Sequence, residues 1–290
     1  MTERTLAIIG GSGLYELDGL EQVREERLET PFGPPSDAIV VGRLGGTRLL
    51  FLPRHGRGHR FPPHRIPFRA NVCALKMLGA EMIVSVSAVG SLRHAIEPGD
   101  LVLVDQFIDR THGREQTFFD EGVAAHVAFA EPVDAALQRC LYDAAGRVGA
   151  RAHLGGTYVC IQGPQFSTKA ESAMYRQWGA DVVGMTNLPE ARLAREAELP
   201  YATMAVATDY DCWLERAEPV TVEAVVAALR EGLAAARAVL VDAAAHLPDP
   251  ADSPASEALR GAIMTDLSRI SPEVRARLAP IAGRYLEQGG

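Results

Sequence analysis

The chain has 290 residues, of which 47% are hydrophobic and 23% are charged, and its formal net charge is −8. That length suffices for one large α/β domain or two small ones. No run of Lys and Arg suggests a nucleic-acid footprint, and no stretch reaches the roughly 18 consecutive apolar residues of a membrane span. We therefore expect no nucleic-acid partner and no contact with a membrane.

Cysteine and histidine usage argues against disulfides and metal sites. The four cysteines, Cys73, Cys140, Cys160 and Cys212, lie far apart, and none belongs to a CxxC pair. In a chain of this size that spacing indicates reduced thiols, and hence a cytoplasmic protein. The N-terminus lacks the basic and apolar segments of a signal peptide. The eight histidines show no HExxH or similar spacing, so we expect no metal.

Short runs rich in Val and Ile, bounded by Gly or polar residues, predict strands. In chain order they lie at 6–10, 38–42, 47–56, 81–90, 101–110, 157–163, 181–185 and 201–207. Helical patterns occur at 68–79, 132–149, 167–179, 189–198 and 222–246. This alternation predicts an α/β fold, a single domain over residues 1–246 with a central mixed, mostly parallel twisted sheet flanked by helices.

The composition changes at "LPDPADSPAS" (247–256), which is typical of a linker. Beyond it, the patterns at 257–267 and 271–288 predict two short helices, the second with Ser271 as N-cap and Pro272 at its first position. Residues 247–290 thus form a linker and a C-terminal helical extension. We expect this extension to pack on its own body or on a neighbouring subunit.

Several predicted strands end in groups that suit an anion. In "IIGGSGL" (8–14) a Gly-rich turn exposes backbone N–H groups beside the Ser12 hydroxyl. In "LPRHGRGHRFPPHR" (52–65), Arg54 offers a guanidinium fork that fits an oxyanion. Taken singly, the first is better explained as a structural tight turn and the second as a solvated basic loop. Two further strand ends, "SVSAVGSL" (85–92) and "GMTNLPEA" (184–191), add hydroxyls, and together these donors could surround a tetrahedral anion.

The stretch "ATDYDCW" (207–213) places two carboxylates, Asp209 and Asp211, at the end of a buried strand. Residues two apart on an extended segment point to the same side, so both could enter one cavity while Thr208 and Tyr210 face away. Two carboxylates in a poorly solvated place disfavour joint ionisation, and one pKa should rise. The alternative is a solvated turn, where Asp is common.

The motifs "IIGGSGL", "RHGRGHRFPPHRI", "SVSAVGSLRHAIEPGDLVLVDQFIDRT", "QGPQFSTKAESAMYRQWGADVVGMTNLPEA" and "ATDYDCW" occur here in one order. In that order they resemble the trimeric purine nucleoside phosphorylases, and most closely the branch that cleaves 5′-methylthioadenosine. The resemblance runs from about residue 5 to about residue 240. It implies cleavage of a nucleoside's N-glycosidic bond by inorganic phosphate, with no cofactor, in methionine and purine salvage.

The resemblance also implies roles for individual residues. Met185 falls on a ribose-contacting position, and Phe166 falls where an aromatic ring lies against the base. Asp209 and Asp211 match carboxylates that face the purine, and we expect Asp209 to protonate N7 as the bond breaks. Phosphate-binding positions fall on Ser12, Arg54, His55, Ser87, Ala88 and Thr186.

Two features of the resemblance bear on the substrate. Ser167 and Asp209 stand where the branch acting on 6-oxopurines usually has Glu and Asn, so both point to adenine. Three valines match positions that line an apolar 5′ pocket, with His126 supplied by an adjacent subunit and His59 nearby, which favours a methylthio group and implies a homotrimer. The three valines are Val222, Val225 and Val226.

Two other functions remain open at this stage. The first is a phosphorylase for adenosine or 5′-methylthioinosine. The second is a nucleoside-binding protein that keeps the fold but lacks turnover, against which the retained phosphate-binding positions speak. One departure from the family is Gln165 in "GPQFS", where Arg is common.

Overall fold

The computed structural model describes residues 3–11, 14, 17–214 and 222–287, and the side chains of 222–229 are outside this description. Within these ranges the chain forms eleven strands and six α-helices. The strands are β1 (Arg4–Gly10), β2 (Glu21–Glu26), β3 (Ile39–Leu44), β4 (Thr47–Pro53), β5 (Met82–Ser91), β6 (Leu101–Leu103), β7 (Gln106–Arg110), β8 (Ala152–Leu154), β9 (Thr157–Ile161), β10 (Val182–Gly184) and β11 (Tyr201–Asp209). The helices are α1 (Phe68–Met77), α2 (Ala135–Val148), α3 (Lys169–Gln177), α4 (Asn187–Glu196), α5 (Val222–Ala244) and α6 (Pro272–Leu286).

All eleven strands belong to one mixed sheet, and β5 is its centre. The main path runs β2-β3-β4-β1-β5-β10-β9-β7, and β11, β6 and β8 branch from β5. Strand β5 pairs in parallel with β1 and β11 and then antiparallel with β10, so it joins both parts of the sheet. The predicted fold class, a mostly parallel mixed sheet flanked by helices, is confirmed.

The core explains why these runs are strands. Along β1, β4 and β5 almost every side chain is buried, as expected for sheet strands covered on both faces. Two large apolar clusters lie on opposite faces of the sheet: Ile9 and Leu52 belong to one, and Ile8 and Phe51 to the other. Successive side chains of these strands are therefore buried on opposite faces of the sheet. Polar side chains are found mainly where the strands end.

Two predicted elements differ from the structure, and a third agrees with it. The run 101–110 divides into β6 and β7 because Asp105 turns aside to hydrogen-bond Gly156, and the two halves then pair with different neighbours. The predicted helix 257–267 is wrong: Gly261 has φ +70°, and the following residues pair with another segment instead. The predicted second helix is present as α6, with Ser271 Oγ accepting from the Val274 N–H.

The C-terminal segment packs on its own chain. Leu259, Leu278 and Ile281 are buried in the same apolar cluster as the sheet residues Ile9 and Leu52. The segment also carries a short antiparallel bridge between Ala125 and Ile263. In this bridge the backbone N–H of His126 donates to Ala262, and that of Met264 donates to Ala124. Residues 262–264 therefore hold the segment around His126 in place.

None of the helices described in the structure is both long and apolar enough to cross a membrane.

Helix α5 packs on β11 through Gly232, where a Cβ atom would lie 2.2 Å from Val206 Cγ1. We predict that Gly232→Ala lowers the free energy of unfolding by about 1–3 kcal/mol because the stiff Val206 side chain cannot move aside. Gly146→Ala in α2 is the matched control, since its Cβ would meet nothing within 4 Å. There, Ala raises the stability by up to about 1 kcal/mol through helix propensity. Urea unfolding at one protein concentration measures both, and equal effects would contradict the packing argument.

Candidate active site

A cavity of about 520 Å³ opens where β4, β5, β10 and β11 end. Most of the residues expected in the site from the sequence line this one cavity. They are Arg54, His55, His59, Ser87, Ala88, Phe166, Ser167, Met185, Thr186, Asp209 and Asp211. Strand ends far apart in the chain therefore meet here, as expected for an α/β sheet.

Arg54 is buried just beyond β4, where only 2% of its side chain is exposed, and it forms an ion pair with Glu190 of α4. Its Nε donates to Glu190 Oε2 at 2.7 Å and its Nη2 to Glu190 Oε1 at 3.1 Å. Glu190 also accepts from the Tyr201 hydroxyl at 3.0 Å. The guanidinium fork that the sequence offered to an oxyanion is thus occupied by a carboxylate of the same chain.

The remaining donors of Arg54 tie strand ends together. Nη2 donates to the Ile9 carbonyl and to Ser85 Oγ, and Nη1 donates to the Val86 carbonyl at 3.0 Å. Nη1 has two N–H groups and one partner among the described residues, so one N–H is left for a ligand. Burial opposes the charge of Arg54, but the nearby Glu190 carboxylate outweighs it and raises the Arg54 pKa.

His55 follows Arg54 and is held on two sides. Its Nδ1 lies 2.8 Å from the Phe61 carbonyl oxygen, and its ring stacks on that of His59 with centroids 4.0 Å apart. Burial lowers the pKa of His55 to about 4, and the neighbouring charge of Arg54 acts in the same direction. His55 is therefore a neutral imidazole near neutral pH.

Neutral hydroxyls complete this end of the cavity. Ser87 Oγ lies 3.1 Å from Asn187 Oδ1, and the Asn187 amide donates in turn to Thr203 Oγ1 at 2.7 Å. Thr186 precedes α4, but its hydroxyl does not cap that helix. The Thr186 side chain lies beside the buried Tyr158 hydroxyl instead, and Thr186 lines the same cavity.

At the other end, Asp209 and Asp211 both line the cavity, but not through simple alternation along a strand. The pairing with β5 shifts between Ala207 and Asp209, which is the mark of a β-bulge. The chain then turns at Asp211, whose φ is +47°. The solvated turn is thereby rejected: a bulge and a tight turn bring both carboxylates to the cavity.

Thr208 was expected to face away from the site, and this expectation is wrong. Its hydroxyl lies 2.8 Å from Asp209 Oδ2, and Thr208 itself lines the cavity. The Asp211 backbone N–H donates to Asp209 Oδ1 at 2.7 Å. Both oxygens of the Asp209 carboxylate therefore have a hydrogen-bond donor within the chain.

The pKa of Asp211 is raised, first by burial and then by the charge of Asp209. The expected rise in one carboxyl pKa is thus present, and it falls on Asp211. Gly90 on β5 makes room for the pair, since a Cβ there would lie 3.1 Å from Asp211 Cβ and 3.3 Å from Asp209 Oδ1. Any larger residue at position 90 would press on both carboxylates.

Two further predicted residues lie beside the carboxylates. Ser167 Oγ is buried and has no hydrogen-bond partner among the described residues, so it can still serve a ligand. Phe166 stands at the cavity mouth with 85% of its surface exposed. Gln165 is also exposed and is not among the described residues that line the cavity.

Some predicted site residues are not brought to this cavity or lie outside the described part. Ser12 is not described, although the adjacent Gly11 lines the cavity. The three valines, Val222, Val225 and Val226, belong to the first two turns of α5, and their side chains are not described. Apolar lining comes from Val206 and from Leu233, seven residues after Val226. His126 is exposed and lies outside the cavity of its own chain.

Two important residues escaped the sequence reasoning. Glu190 stands in the quoted motif "GMTNLPEA", and a Glu in so apolar a helix start could have indicated a buried charge partner. Arg114 is also buried, and it donates to the carbonyls of Met185 and Leu188 on either side of Thr186. No pattern in the sequence distinguishes Arg114 from the exposed arginines around it.

Comparison with known proteins identifies the family. Residues 5–245 match the model of the phosphorylase superfamily. The S-methyl-5′-thioadenosine phosphorylase of Geobacter sulfurreducens is 51% identical over 98% of this chain and 100% of its own length. That of Chloroflexus aurantiacus is 51% identical over 98% of this chain and 99% of its own. The chain therefore belongs to the phosphorylase superfamily, and the resemblance inferred from the sequence is confirmed.

Solved structures agree with the relatives. A methylthioadenosine phosphorylase sourced from an antarctic soil metagenomic library superposes with a TM-score of 0.92, at 45% identity, over 97% of this chain and 99% of that chain. The Schistosoma mansoni methylthioadenosine phosphorylase in complex with adenine gives 0.82 at 36% identity, over 90% and 99%. The alignment with the Geobacter protein spans 285 residues and so extends into the C-terminal segment.

We predict that Glu190→Gln lowers the free energy of unfolding by about 3 kcal/mol or more, because it leaves the Arg54 charge buried without a compensating carboxylate. Glu257→Gln is the control, since it removes the carboxylate of an exposed pair with Arg260 and should cost less than about 0.5 kcal/mol. Urea unfolding compares the two variants. A similar small loss in both would show that Glu190 does not compensate the charge of Arg54.

Proposed function

We propose that this member of the phosphorylase superfamily cleaves the N-glycosidic bond of 5′-methylthioadenosine with inorganic phosphate. The products are adenine and 5-methylthioribose 1-phosphate, so the reaction is a pentosyl transfer in methionine and purine salvage. The observation that carries this proposal is the arrangement of one cavity. Neutral and charge-compensated donors stand at one end, and the Asp209–Asp211 pair stands with Ser167 at the other.

The donor end suits phosphate as the nucleophile. Arg54 offers its remaining N–H there, and Thr186, Ser87 and Ala88 line the same cavity. The Ser87 hydroxyl, which donates to Asn187 Oδ1, can rotate towards the anion. Phosphate held there beneath C1′ both stabilises the positive charge that develops on the sugar and captures it. Met185 lines the same cavity, and we assign it to the sugar by its family position. We also assign Ser12 to phosphate, because it falls on a phosphate-binding position of the family.

The carboxylate end suits a purine leaving group. As the bond from C1′ to N9 breaks, negative charge accumulates on the base, and a proton delivered to N7 relieves it. We assign that delivery to Asp209. Asp211, whose pKa is raised, lies beside it and bonds to it through its backbone N–H, so the pair can hold a proton between them.

The same groups favour a 6-aminopurine. A carboxylate accepts hydrogen bonds, so it pairs with an exocyclic amino group and opposes a carbonyl. Ser167 Oγ, which has no partner among the described residues, is available to the base edge. The side chain of Phe166 provides the aromatic face at the mouth.

The 5′ substituent lies near the apolar lining. Val206 and Leu233 supply apolar surface there, and neither can pair with a 5′-hydroxyl. A thioether methyl fits such a surface better than a hydroxyl does. By family position, Val222, Val225 and Val226 continue the pocket, with His59 nearby and His126 contributed by an adjacent subunit.

We further propose that the protein forms a homotrimer and acts in the cytoplasm. It needs no metal or other cofactor for this reaction. Two exposed residues support the assembly. Phe166 is 85% exposed in the single chain, and His126 is exposed outside its own cavity. A neighbouring subunit would cover the first and receive the second.

We predict that the purified protein releases adenine from 5′-methylthioadenosine only when phosphate is present. Its kcat/KM for this substrate should exceed that for adenosine by about tenfold or more because of the apolar 5′ lining. Inosine and 5′-methylthioinosine should be poorer still. A preference for either 6-oxo substrate would favour the methylthioinosine alternative, and absence of turnover with all four would favour a nucleoside-binding protein.

We predict that Asp209→Asn lowers kcat on 5′-methylthioadenosine by about 100-fold or more, since an amide cannot supply the proton to N7. Asp143→Asn, on the solvent side of α2, makes the same chemical change away from the cavity and should leave kcat unchanged. Initial rates at saturating substrate measure the effect. Near-full activity of the Asp209 variant would remove this residue from the acid role.

A further inference from the structure

The orientation of the His55 ring fixes which of its nitrogens carries the proton. Nδ1 lies 2.8 Å from the Phe61 carbonyl oxygen. A carbonyl oxygen can only accept a hydrogen bond, so Nδ1 must be the donor. Since the buried ring is neutral near neutral pH, its single N–H proton is then committed to the backbone. Nε2 keeps a lone pair.

Nε2 is the ring nitrogen that remains for the cavity. His55 lines the cavity, and Nε2 has no hydrogen-bond partner among the described residues. Stacking on His59 fixes the plane of the ring, with 12° between the two rings. His55 therefore presents an acceptor, not a donor, to whatever anion occupies this end.

The charges around the cavity also favour an anion that carries a proton. Arg54 is the one Arg or Lys among the described lining residues, and Glu190 compensates its charge. The other formally charged lining groups are the carboxylates of Asp209 and Asp211. An anion in this cavity is thus held mainly by neutral hydrogen bonds, and a further proton on the anion reduces the charge that must be accommodated.

We propose that His55 Nε2 accepts a hydrogen bond from a protonated oxyanion, and that this bond selects phosphate-like anions over fully deprotonated ones. The proposal rests on the proposed function, which places phosphate at this end of the cavity. Near neutral pH, inorganic phosphate and arsenate both carry at least one O–H group. Sulfate carries none, so one of its oxygens would face the Nε2 lone pair with no proton between them.

The first test compares the affinities of phosphate, arsenate and sulfate by calorimetry at matched ionic strength. We expect wild-type protein to bind phosphate and arsenate about tenfold or more tightly than sulfate. His55→Gln should bring the ratio towards one, because the amide can turn its NH2 group to the anion. Thr186→Val is the matched control, because it removes a hydroxyl that could bond to any of the three anions. All three affinities should then fall, while the ratio of the phosphate affinity to the sulfate affinity stays unchanged.

The second test observes the ring directly in unmutated protein. In ¹⁵N-histidine-labelled protein, the His55 resonances should show Nδ1 protonated and Nε2 unprotonated, both free and with phosphate bound. The His55→Gln spectrum assigns them by the signals that it lacks. A protonated Nε2 in the phosphate complex, or equal affinities for sulfate and phosphate, would overturn the acceptor role alone. Failure of phosphate and arsenate to bind while adenine still binds would overturn the phosphate site itself, and with it the proposed function.

Discussion

The buried ion pair between Arg54 and Glu190 is the interaction on which the site depends. A guanidinium with 2% exposure persists in this core because a carboxylate and two backbone oxygens accept its hydrogen bonds. Those oxygens belong to Ile9 and Val86, so one side chain fixes the end of β1 and the middle of β5 relative to the start of α4. The end of the cavity at which we propose that phosphate binds is therefore shaped by how a buried charge is compensated inside the sheet, and this pair forms within the chain itself.

The two ends of the cavity meet a substrate in opposite ways. One end has the N–H of Arg54 that lacks a partner among the described residues, whereas acceptors prevail around Asp209. A nucleoside and an oxyanion bound together complement this arrangement. The anion beneath the sugar accepts hydrogen bonds, and the base gains a proton as the bond breaks. If the substrates were bound the other way round, the anion would face the carboxylates and the base would face the donors. The orientation of the substrates is therefore set by polarity as well as by shape.

Much of this was available from the sequence, and the failures have physical causes. The strand positions and the meeting of Arg54, Thr186 and Asp209 followed from hydrophobic periodicity and family motifs, because strand ends converge in α/β sheets. The role of Thr208 could not be predicted, since a bulge changes which side chains share a face. The occupation of the Arg54 fork by Glu190 also escaped, because a pairing across 136 residues of chain leaves no local pattern.

The bridge between Ala125 and Ile263 has a consequence for the order of events during synthesis. The segment that carries His126 emerges from the ribosome well before its partners at Ala262 and Met264. The same holds for the sheet residues Ile9 and Leu52, whose apolar cluster is completed by Leu278 and Ile281 of α6. The segment around His126, at which we propose that a neighbouring copy binds, thus reaches its final conformation only after residues 262–264 have been made.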